Sequence, residues 1–521
     1  QGVSSAASDV YKRQEVVLGI DLGTSAIKII AVDQLGNVIE SVSETLKLYQ
    51  EHPGYSEQDP NEWFEATKKG IKELIQSTEM SDKIVKGISF SGQMHGLVIV
   101  DDNGIPLRKA ILWNDTRNSI QCRQIEDIYG ERLNYNPILE GFTLPKMLWV
   151  QQHEPEIWSR VDVFMLPKDY LRYCLTQTIH MEYSDACSTL LFNPENYEWT
   201  RDVGDTFNIG DIYPPLVQSH SYVGKVTESL ANELGLSSDV AVYAGGGDNA
   251  CGAIGAGVIH DKSALCSIGT SGVVLNVEYQ RVTSYDSNLH LFNHSVPDTY
   301  YAMGVTLAAG YSLNWLKQTF FENESFEEIL NLAASSKIGA NGLLFTPYLA
   351  GERTPHGDAQ IRGSFIGISG QHTKADFARA VIEGITYSLY DSIKIMRRAG
   401  HEMNSITSIG GGAKSRFWLQ LQADIFNVQI KRLKHEEGPS MGAAILAAYG
   451  LGWFKTIESC VEAFIKVDEV FEPNNENHAL YEQYYSVYEA IYKQTKQLTA
   501  DLLTITTVSY THLTLPTILL V

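Results

Sequence analysis

Several features that mark other protein classes are missing from this sequence. It has only six cysteines in 521 residues, none of them in a CxxC pair, and it has no HExxH segment. A disulfide framework and a structural zinc site are therefore not expected. The most apolar window, residues 240–259, contains Asp248 and several glycines, so no segment is expected to cross a membrane.

Positive charge is also scarce. Lys and Arg total 40 and Asp and Glu total 62, which gives a formal net charge of −22. Such a chain repels both a nucleic-acid backbone and an anionic membrane surface, so we expect neither as a partner. With reduced cysteines and no secretory pattern near the first residues, a cytoplasmic location is expected. An anionic ligand would have to be bound by local backbone dipoles and a metal ion.

The remaining composition is typical of a globular protein, with 44% hydrophobic and 20% charged residues. Alternating strand and helix patterns predict the α/β class. Residues 16–32 and 264–277 each contain a strand, a Gly-Thr-Ser turn and a second strand. This weak internal repeat suggests two related domains that face each other, and its antiparallel character argues against a plain Rossmann sheet.

We expect five segments along the chain. The two end segments are assigned as flanks because neither carries a pattern that continues the neighbouring element. The segments are a non-native flank at 1–14, an N-terminal domain at 15–258, a C-terminal domain at 259–456, a helical tail at 457–507 and a second non-native flank at 508–521.

The glycine-rich turns are the candidate phosphate-binding segments. A Walker A motif and a helix-opening GxGxxG are both absent, so neither a P-loop nor NAD binding is supported. Glycines let the backbone approach a ligand, and successive N–H groups then form an anion-binding concavity. Thr24, Ser25 and Thr270 add hydroxyl donors. Each turn alone could be a simple hairpin, but together they favour a nucleotide cleft. The turns are 21–25, 245–249, 269–272 and 410–412.

Two aspartates lie beside these turns. Asp248 follows a strand and precedes a helix, so it could accept a proton from a substrate hydroxyl or cap the helix. Asp21 lies next to the first Gly-Thr-Ser turn, so it could hold Mg²⁺ through water or simply form the turn. Phosphate cradling, a divalent ion and a base are the requirements of phosphoryl transfer, and two facing domains could exclude water from it.

Nine stretches of the chain resemble, in order, the FGGY family of carbohydrate kinases. The SGQMHG, ILWNDTR and YLAGERTPH stretches are most similar to the xylulokinases within that family. The stretches are GIDLGTSAIKII (19–30), YSEQDPNEWF (55–64), SGQMHG (91–96), ILWNDTR (111–117), LPKDYL (166–171), GGGDNACGAIG (245–255), SIGTSG (267–272), YLAGERTPH (348–356) and SIGGGAKS (408–415).

The resemblance implies a two-domain actin/hexokinase-like (ribonuclease H-like) ATPase fold with an interdomain cleft. The implied reaction is transfer of a phosphoryl group from ATP to D-xylulose, with Mg²⁺ as cofactor. Asp248 matches the family's catalytic base, and Asp21 matches the acid near Mg-ATP. Both aspartates are candidate Mg²⁺ ligands. Met94, His95 and Asn249 match sugar contacts on the N-terminal side.

The C-terminal side matches the nucleotide site of the family. Gly269 and Thr270 match a phosphate loop. Gly411, Gly412 and Ser415 match the adenosine site, where several relatives carry Asn instead of Ser415. Trp315 is a further candidate for this site.

Three alternatives remain open. The acceptor could be another sugar or polyol of the same family, such as ribulose, fuculose, glycerol or gluconate. A non-enzymatic, actin-like ATP-binding protein is a remote alternative, because it has no reason to carry the sugar-side stretches. A homodimer is an open alternative to a monomer.

Some side chains in these stretches have a structural alternative to a role in the site. Trp113 is expected in the core. Lys168 has the right chemistry for a sugar pocket, but with Asp169 it could instead form a surface ion pair of little energetic consequence. Glu352 and Arg353 are expected to form a structural pair at the domain junction.

Overall fold

A computed structural model of the protein describes residues 14–279, 283–285 and 289–513. Residues 1–13 and 514–521, which belong to the expected flanks, lie outside the described residues. The described chain contains two seven-stranded sheets, one in each half. The strands of the first sheet are β1 (Gln14–Leu22), β2 (Ala26–Asp33), β3 (Val38–Thr45), β4 (Lys83–Gly92), β5 (Tyr222–Lys225), β6 (Ala241–Tyr243) and β7 (Gly246–Gly247). Those of the second are β8 (Ser263–Ile268), β9 (Gly272–Tyr279), β10 (His290–Asn293), β11 (Thr299–Thr306), β12 (Ser405–Gly410), β13 (Gln429–Leu433) and β14 (Val467–Phe471).

Helices cover and connect these sheets. In chain order they are α1 (Pro60–Gln76), α2 (Ser119–Tyr129), α3 (Thr143–His153), α4 (Pro155–Trp158), α5 (Pro167–Thr176), α6 (Tyr183–Cys187), α7 (Arg201–Thr206), α8 (Glu228–Leu234), α9 (Asp248–Gly255), α10 (Gly310–Phe320), α11 (Phe326–Ser335), α12 (Lys374–Arg398), α13 (Arg416–Phe426), α14 (Pro439–Gly450), α15 (Ile457–Phe464) and α16 (Asn475–Leu513). None of the described helices combines the length and the apolar character needed to cross a bilayer.

The two sheets repeat one arrangement, which confirms the α/β class. In the first sheet the strand order is β5-β6-β4-β1-β2-β3, and β7 also pairs with β4. Strands β1, β2 and β3 are antiparallel, whereas β1 is parallel to β4. In the second sheet the order is β10-β11-β9-β8-β12-β13-β14, with β8, β9 and β11 antiparallel and β8 parallel to β12. The two Gly-Thr-Ser turns therefore occupy equivalent positions, each after a central strand.

Local sequence signals account for the elements that the pattern predicts. Helix α1 begins where expected, because the Asp59 carboxylate caps it by accepting from Asn61 N at 2.9 Å, and Pro60 occupies its first position. Its apolar positions Trp63 and Ile71 are buried against the first sheet. A helix with both a capped start and one buried stripe is stabilised locally and by packing.

Two helices rich in small residues join the halves. Helix α14 lies in the C-terminal half of the sequence, yet it packs against α9 and against β1 of the first sheet. A Cβ added at Gly442 would lie 1.9 Å from Cys251 O, and one added at Gly19 would lie 2.0 Å from Ser440 O. These positions accept no side chain, because real Cβ atoms do not approach a carbonyl oxygen that closely.

The Gly442→Ala substitution is therefore expected to separate α14 from α9. We expect the free energy of unfolding to fall by about 1–3 kcal/mol, the usual cost of overpacking. Gly370→Ala is the matched control, because a Cβ there meets no atom within 4 Å. Urea unfolding measures both variants. Equal stability of Gly442→Ala and wild type would contradict this view of the junction.

Candidate active site between the two halves

The two candidate aspartates lie on either side of the same strand. Asp21 is paired with Ser91 of β4, and Gly246 of β7 is paired with Ser91 from the other side. Asp248 follows β7 directly as the first residue of α9. The predicted turn at 21–25 is thus too long, since β1 continues to Leu22 and holds Asp21 in the sheet. Parallel strand ends are where substrate-binding residues of α/β proteins gather.

Both carboxylates have perturbed acidity. Burial raises the pKa of Asp21 to about 6, although Ser91 and Lys28 act in the opposite direction. Burial and the negative charge of Asp21 raise the pKa of Asp248 to about 7. A carboxylate with this pKa is half ionised near neutral pH, which is the range in which a general base works best.

Asp21 also has the properties of a ligand for a divalent cation. Its Oδ1 atom is buried and has no hydrogen-bond partner among the described residues. In the described part of the chain, no three His, Cys, Asp or Glu side chains cluster so as to hold a metal ion by themselves. This donor set fits Mg²⁺ rather than a fully protein-bound metal, because Mg²⁺ usually takes one or two carboxylates and completes its shell with water and substrate phosphates.

The local contacts of Asp248 favour a substrate role. The cap of α9 is Gly247, so Asp248 is not the capping residue. Asp248 Oδ1 accepts from Asn249 N at 2.8 Å and from Asn249 Nδ2 at 3.1 Å. Its Oδ2 has no hydrogen bond among the described residues, and the side chain remains partly accessible. One oxygen is thus oriented and the other is available to a ligand.

Met94 and His95 lie next to this pair. Asn249 Nδ2 is 3.4 Å from Met94 Sδ, which brings two predicted sugar contacts together, and the third, His95, follows Met94 in the chain. His95 has a left-handed backbone with φ of 67°, and its Nδ1 lies 2.9 Å from Ser188 O. Because a carbonyl only accepts, Nδ1 carries the proton and Nε2 is an acceptor. Burial, together with Lys146 and Arg353, lowers the pKa of His95 to about 3, so the ring is neutral.

A buried ionic network lies beneath the site, and the expectation of a surface pair at Lys168 and Asp169 is wrong. Both side chains are fully buried. Lys168 Nζ lies 2.9 Å from Asp169, 3.2 Å from Glu182 and 2.7 Å from Asp185. Arg172 adds a second cation, 3.0 Å from Asp169. Burial raises the pKa of Asp185 well above its usual range, whereas the nearby charge of Lys168 acts in the opposite direction.

This network holds the segment that precedes Asp248. Arg172 Nη1 donates to Ala244 O at 2.9 Å, and Gly247 N donates to Ser184 Oγ at 2.9 Å. Ser184 Oγ in turn donates to Glu182 at 2.8 Å. The role of this network in holding the strand end was not predicted. The only sequence signal for it is the close spacing of the polar residues Glu182, Ser184 and Asp185, which is unusual for a surface turn.

The first Gly-Thr-Ser turn faces the same side. Trp113 is 42% exposed, so its expected place in the core is wrong. Its indole N–H donates to Thr24 Oγ1 at 3.0 Å, and Thr24 Oγ1 donates to Gln93 Oε1 at 3.2 Å. Ser25 is exposed. The nucleotide roles predicted for Thr24 and Ser25 stay predictions, since neither residue lines the cavity of the second half.

That cavity has a volume of about 880 Å³, enough for a nucleotide. Gly269, Thr270, Gly411, Gly412 and Ser415 all line it. Sequence reasoning did not single out several polar and aromatic residues of its wall, because they lie on helices without a glycine signal. These are Tyr311, Asn314, Glu327, Asn331, Arg416 and Phe417.

The end of the cavity at the second Gly-Thr-Ser turn is held by backbone hydrogen bonds. Gly310 N donates to Gly269 O at 2.8 Å and Tyr311 N donates to Thr270 O at 3.0 Å, so α10 begins directly against the second Gly-Thr-Ser turn. A Cβ at Gly310 would lie 2.4 Å from Gly269 O. The turn itself is exposed, and the positive end of the α10 dipole lies beside it.

Two predicted nucleotide residues have additional or different contacts. Ser415 Oγ accepts from Trp418 N at 3.3 Å and thereby caps α13. The Trp315 ring stacks on Phe345 with ring centroids 5.9 Å apart and is not among the residues that line the cavity. Direct nucleotide contact by either side chain stays a prediction.

Comparison with known proteins agrees with this arrangement. Residues 16–255 match the N-terminal domain, and residues 264–451 the C-terminal domain, of the FGGY family of carbohydrate kinases. The xylulose kinase of Staphylococcus epidermidis is 98% identical over 493 residues, which cover 95% of this chain and 99% of the relative. That of Bacillus subtilis is 51% identical, covering 93% and 98%.

Solved structures show the same fold over nearly the whole chain. The ligand-bound xylulose kinase of Lactobacillus acidophilus has a TM-score of 0.89 at 28% identity and covers 94% of this chain and 100% of its own. A gluconate kinase of that organism has a TM-score of 0.88 at 28% identity, covering 92% and 98%. From its two matched domains and these relatives, the chain belongs to the FGGY family of carbohydrate kinases.

Proposed function

We propose that the protein transfers the γ-phosphoryl group of ATP to D-xylulose and forms D-xylulose 5-phosphate. The observation that carries this proposal is the pair of Asp21 and Asp248, which lies beside the uncharged side chains predicted to contact the sugar. The other half of the molecule contains a cavity large enough for a nucleotide. The kinases at 98% and 51% identity are xylulose kinases, which favours this sugar over others of the family.

The chain's own residues account for each requirement of the reaction. His95 Nε2 would accept a hydrogen bond from a sugar hydroxyl, and the Asn249 amide would donate one. Asp248 Oδ2 would take the proton from the terminal hydroxyl. The backbone N–H groups of the exposed residues Thr270 and Ser271 would bind the phosphates of ATP. Asp21 would hold Mg²⁺, which when bound neutralises charge on the transferring phosphoryl group. Closure of the halves would exclude water as a competing acceptor.

The sugar specificity is tested by a panel. Coupled ADP release is measured with D-xylulose, D-ribulose, L-ribulose, L-fuculose, glycerol and gluconate. We expect D-xylulose to give the highest kcat/KM, because a wrong epimer leaves polar groups of the pocket without partners. A higher kcat/KM for another acceptor would show that D-xylulose is not the preferred substrate, while the phosphoryl transfer itself would still be supported. No acceptor-dependent ADP release by folded protein would contradict the kinase activity itself.

The base is tested by Asp248→Ala. We expect kcat to fall by about 10²–10⁴-fold, the usual contribution of a general base, while ATP binding is retained. Asp261→Ala is the control, since it removes an exposed carboxylate just beyond α9. Single-turnover kinetics and ATP titration measure both. Near-normal turnover by Asp248→Ala would remove the base assignment.

The raised pKa of Asp248 predicts the pH profile. The group must be ionised to accept a proton, so activity is lost as pH falls through its pKa of about 7. We expect log kcat/KM for the sugar to fall by one unit per pH unit below that value, because kcat/KM reports the free enzyme. Circular dichroism controls for unfolding over the same range. A limb centred near pH 4 would contradict the proposed environment of Asp248.

A further inference from the structure

The backbone at His95 forms a strained turn. Gly96 N donates to Met94 O at 2.9 Å, and the φ angle of His95 is 67°. A hydrogen bond between residues two apart closes a γ-turn, and a positive φ at the central residue marks the rare, strained form of that turn. Such a backbone persists only where the surrounding structure holds it. The groups that hold this turn therefore determine where a predicted sugar contact lies.

Two side chains at the start of α3 hold the His95 carbonyl. Lys146 Nζ donates to His95 O at 2.9 Å, and Thr143 Oγ1 donates to the same atom at 3.1 Å. Thr143 and Lys146 are three residues apart in α3, so their side chains lie on one face of the helix. Lys146 Nζ also donates to Gly141 O, in the segment just before α3. The lysine thus ties the strained turn to the start of this helix.

The His95 ring is held by the same region. Its centroid lies 4.6 Å from that of Phe142, the residue before α3, and 5.8 Å from that of Phe292 in β10. Ring Nδ1 donates to Ser188 O, no described residue forms a hydrogen bond with Nε2, and His95 remains partly accessible. Backbone and ring are therefore both fixed, and one acceptor atom is left for a ligand.

The charge of Lys146 has no counter-ion at close range. The side chain is fully buried, and it forms an ion pair with no described residue. Lys168, by contrast, has three carboxylates within 3.2 Å. Burial lowers the pKa of Lys146 to about 7, although Asp115 acts in the opposite direction. A buried ammonium group of this kind destabilises the fold, and an apolar side chain of similar length would not.

What lysine supplies at this position is its hydrogen bonds to two backbone carbonyls, one of which belongs to His95. Its charge also acts on the ring. Burial is the main cause of the lowered pKa of His95, and the charge of Lys146 adds to it. A neutral ring with its proton on Nδ1 keeps Nε2 an acceptor. Both effects of Lys146 thus act on the same predicted sugar contact.

We propose that Lys146 is a positioning residue for the sugar: it holds the turn at 94–96 so that His95 Nε2 faces a sugar hydroxyl, and it does not touch the sugar itself. This rests on the proposed sugar kinase activity and adds a residue to it. Because the turn is already formed in the free protein, the sugar does not have to order it on binding. Lys146 therefore acts on sugar affinity rather than on nucleotide affinity.

The test compares two substitutions at the His95 carbonyl. Lys146→Met removes both lysine hydrogen bonds at similar side-chain length, and Thr143→Val removes only the second donor. The sugar is the acceptor that wild type phosphorylates best in the panel. We expect Lys146→Met to raise KM for this sugar by about 3–10-fold, typical of one lost hydrogen bond, with KM for ATP nearly unchanged. Thr143→Val should raise it less, and Thr143→Ser, which keeps the hydroxyl, should match wild type.

A double-mutant cycle separates positioning from general destabilisation. Since Lys146 acts through the His95 ring, Lys146→Met should add nothing to the sugar KM of His95→Ala. Thr67→Val is the matched control for the threonine variants, because Thr67 is also fully buried and donates to Trp63 O at 2.8 Å within α1. Melting temperature is measured for every variant. If Lys146→Met does not fold, the comparison of Thr143→Val with Thr143→Ser decides.

An unchanged sugar KM in folded Lys146→Met, or in Thr143→Val where it decides, would overturn the proposal. So would an equal rise in sugar KM when Lys146→Met is added to His95→Ala, because the lysine would then act through another group. Equal rises in KM for ATP and for the sugar would indicate a structural role and would also overturn it. Wild type without any acceptor-dependent turnover would instead contradict the sugar kinase activity, and this proposal with it.

Discussion

Two like-charged carboxylates on either side of one strand are the constraint around which this molecule is arranged. Asp21 and the segment leading to Asp248 pair with the same residue of β4, so neither can move away from the other. Lys28, which acts on Asp21, is engaged 2.6 Å from Glu437. Burial and the unbalanced negative charge of Asp21 keep Asp248 basic enough to accept a proton, and the charge makes a divalent cation favourable at Asp21. These two properties are the ones that the proposed reaction of Mg-ATP with a hydroxyl acceptor needs.

The remaining architecture serves to hold this pair and to bring a nucleotide to it. A buried network of Lys168, Arg172 and three carboxylates fixes the strand end before Asp248. Removing one partner from a buried ion pair strongly destabilises a folded protein, because it leaves the other charge uncompensated. The network is therefore a rigid support for the strand end. The second half contributes the exposed second Gly-Thr-Ser turn and a large cavity. Helices α9 and α14 join the halves through glycine contacts.

Much of this could be predicted from residues with strong local signals. The antiparallel strands, the capped start of α1 and the glycine turns follow from periodicity, capping and backbone freedom, which act over a few residues. Burial of Lys168 and exposure of Trp113 could not be predicted, because each depends on contacts with other segments of the chain. Lys168 has two such partners: Asp185 in α6, and Glu182 in the short strand just before that helix. Adjacent opposite charges alone could not distinguish that network from a surface pair.

The central claim is that Asp248 meets the sugar's terminal hydroxyl while the nucleotide occupies the cavity of the other half. The most direct measurement is a crystal structure of the complex with D-xylulose and a nonhydrolysable ATP analogue. The account predicts an Asp248 carboxylate oxygen about 2.6–3.2 Å from that hydroxyl, with the γ-phosphate on the hydroxyl's opposite side. A sugar oriented with its terminal hydroxyl away from Asp248, or a nucleotide outside the cavity lined by Gly269 and Gly411, would contradict it.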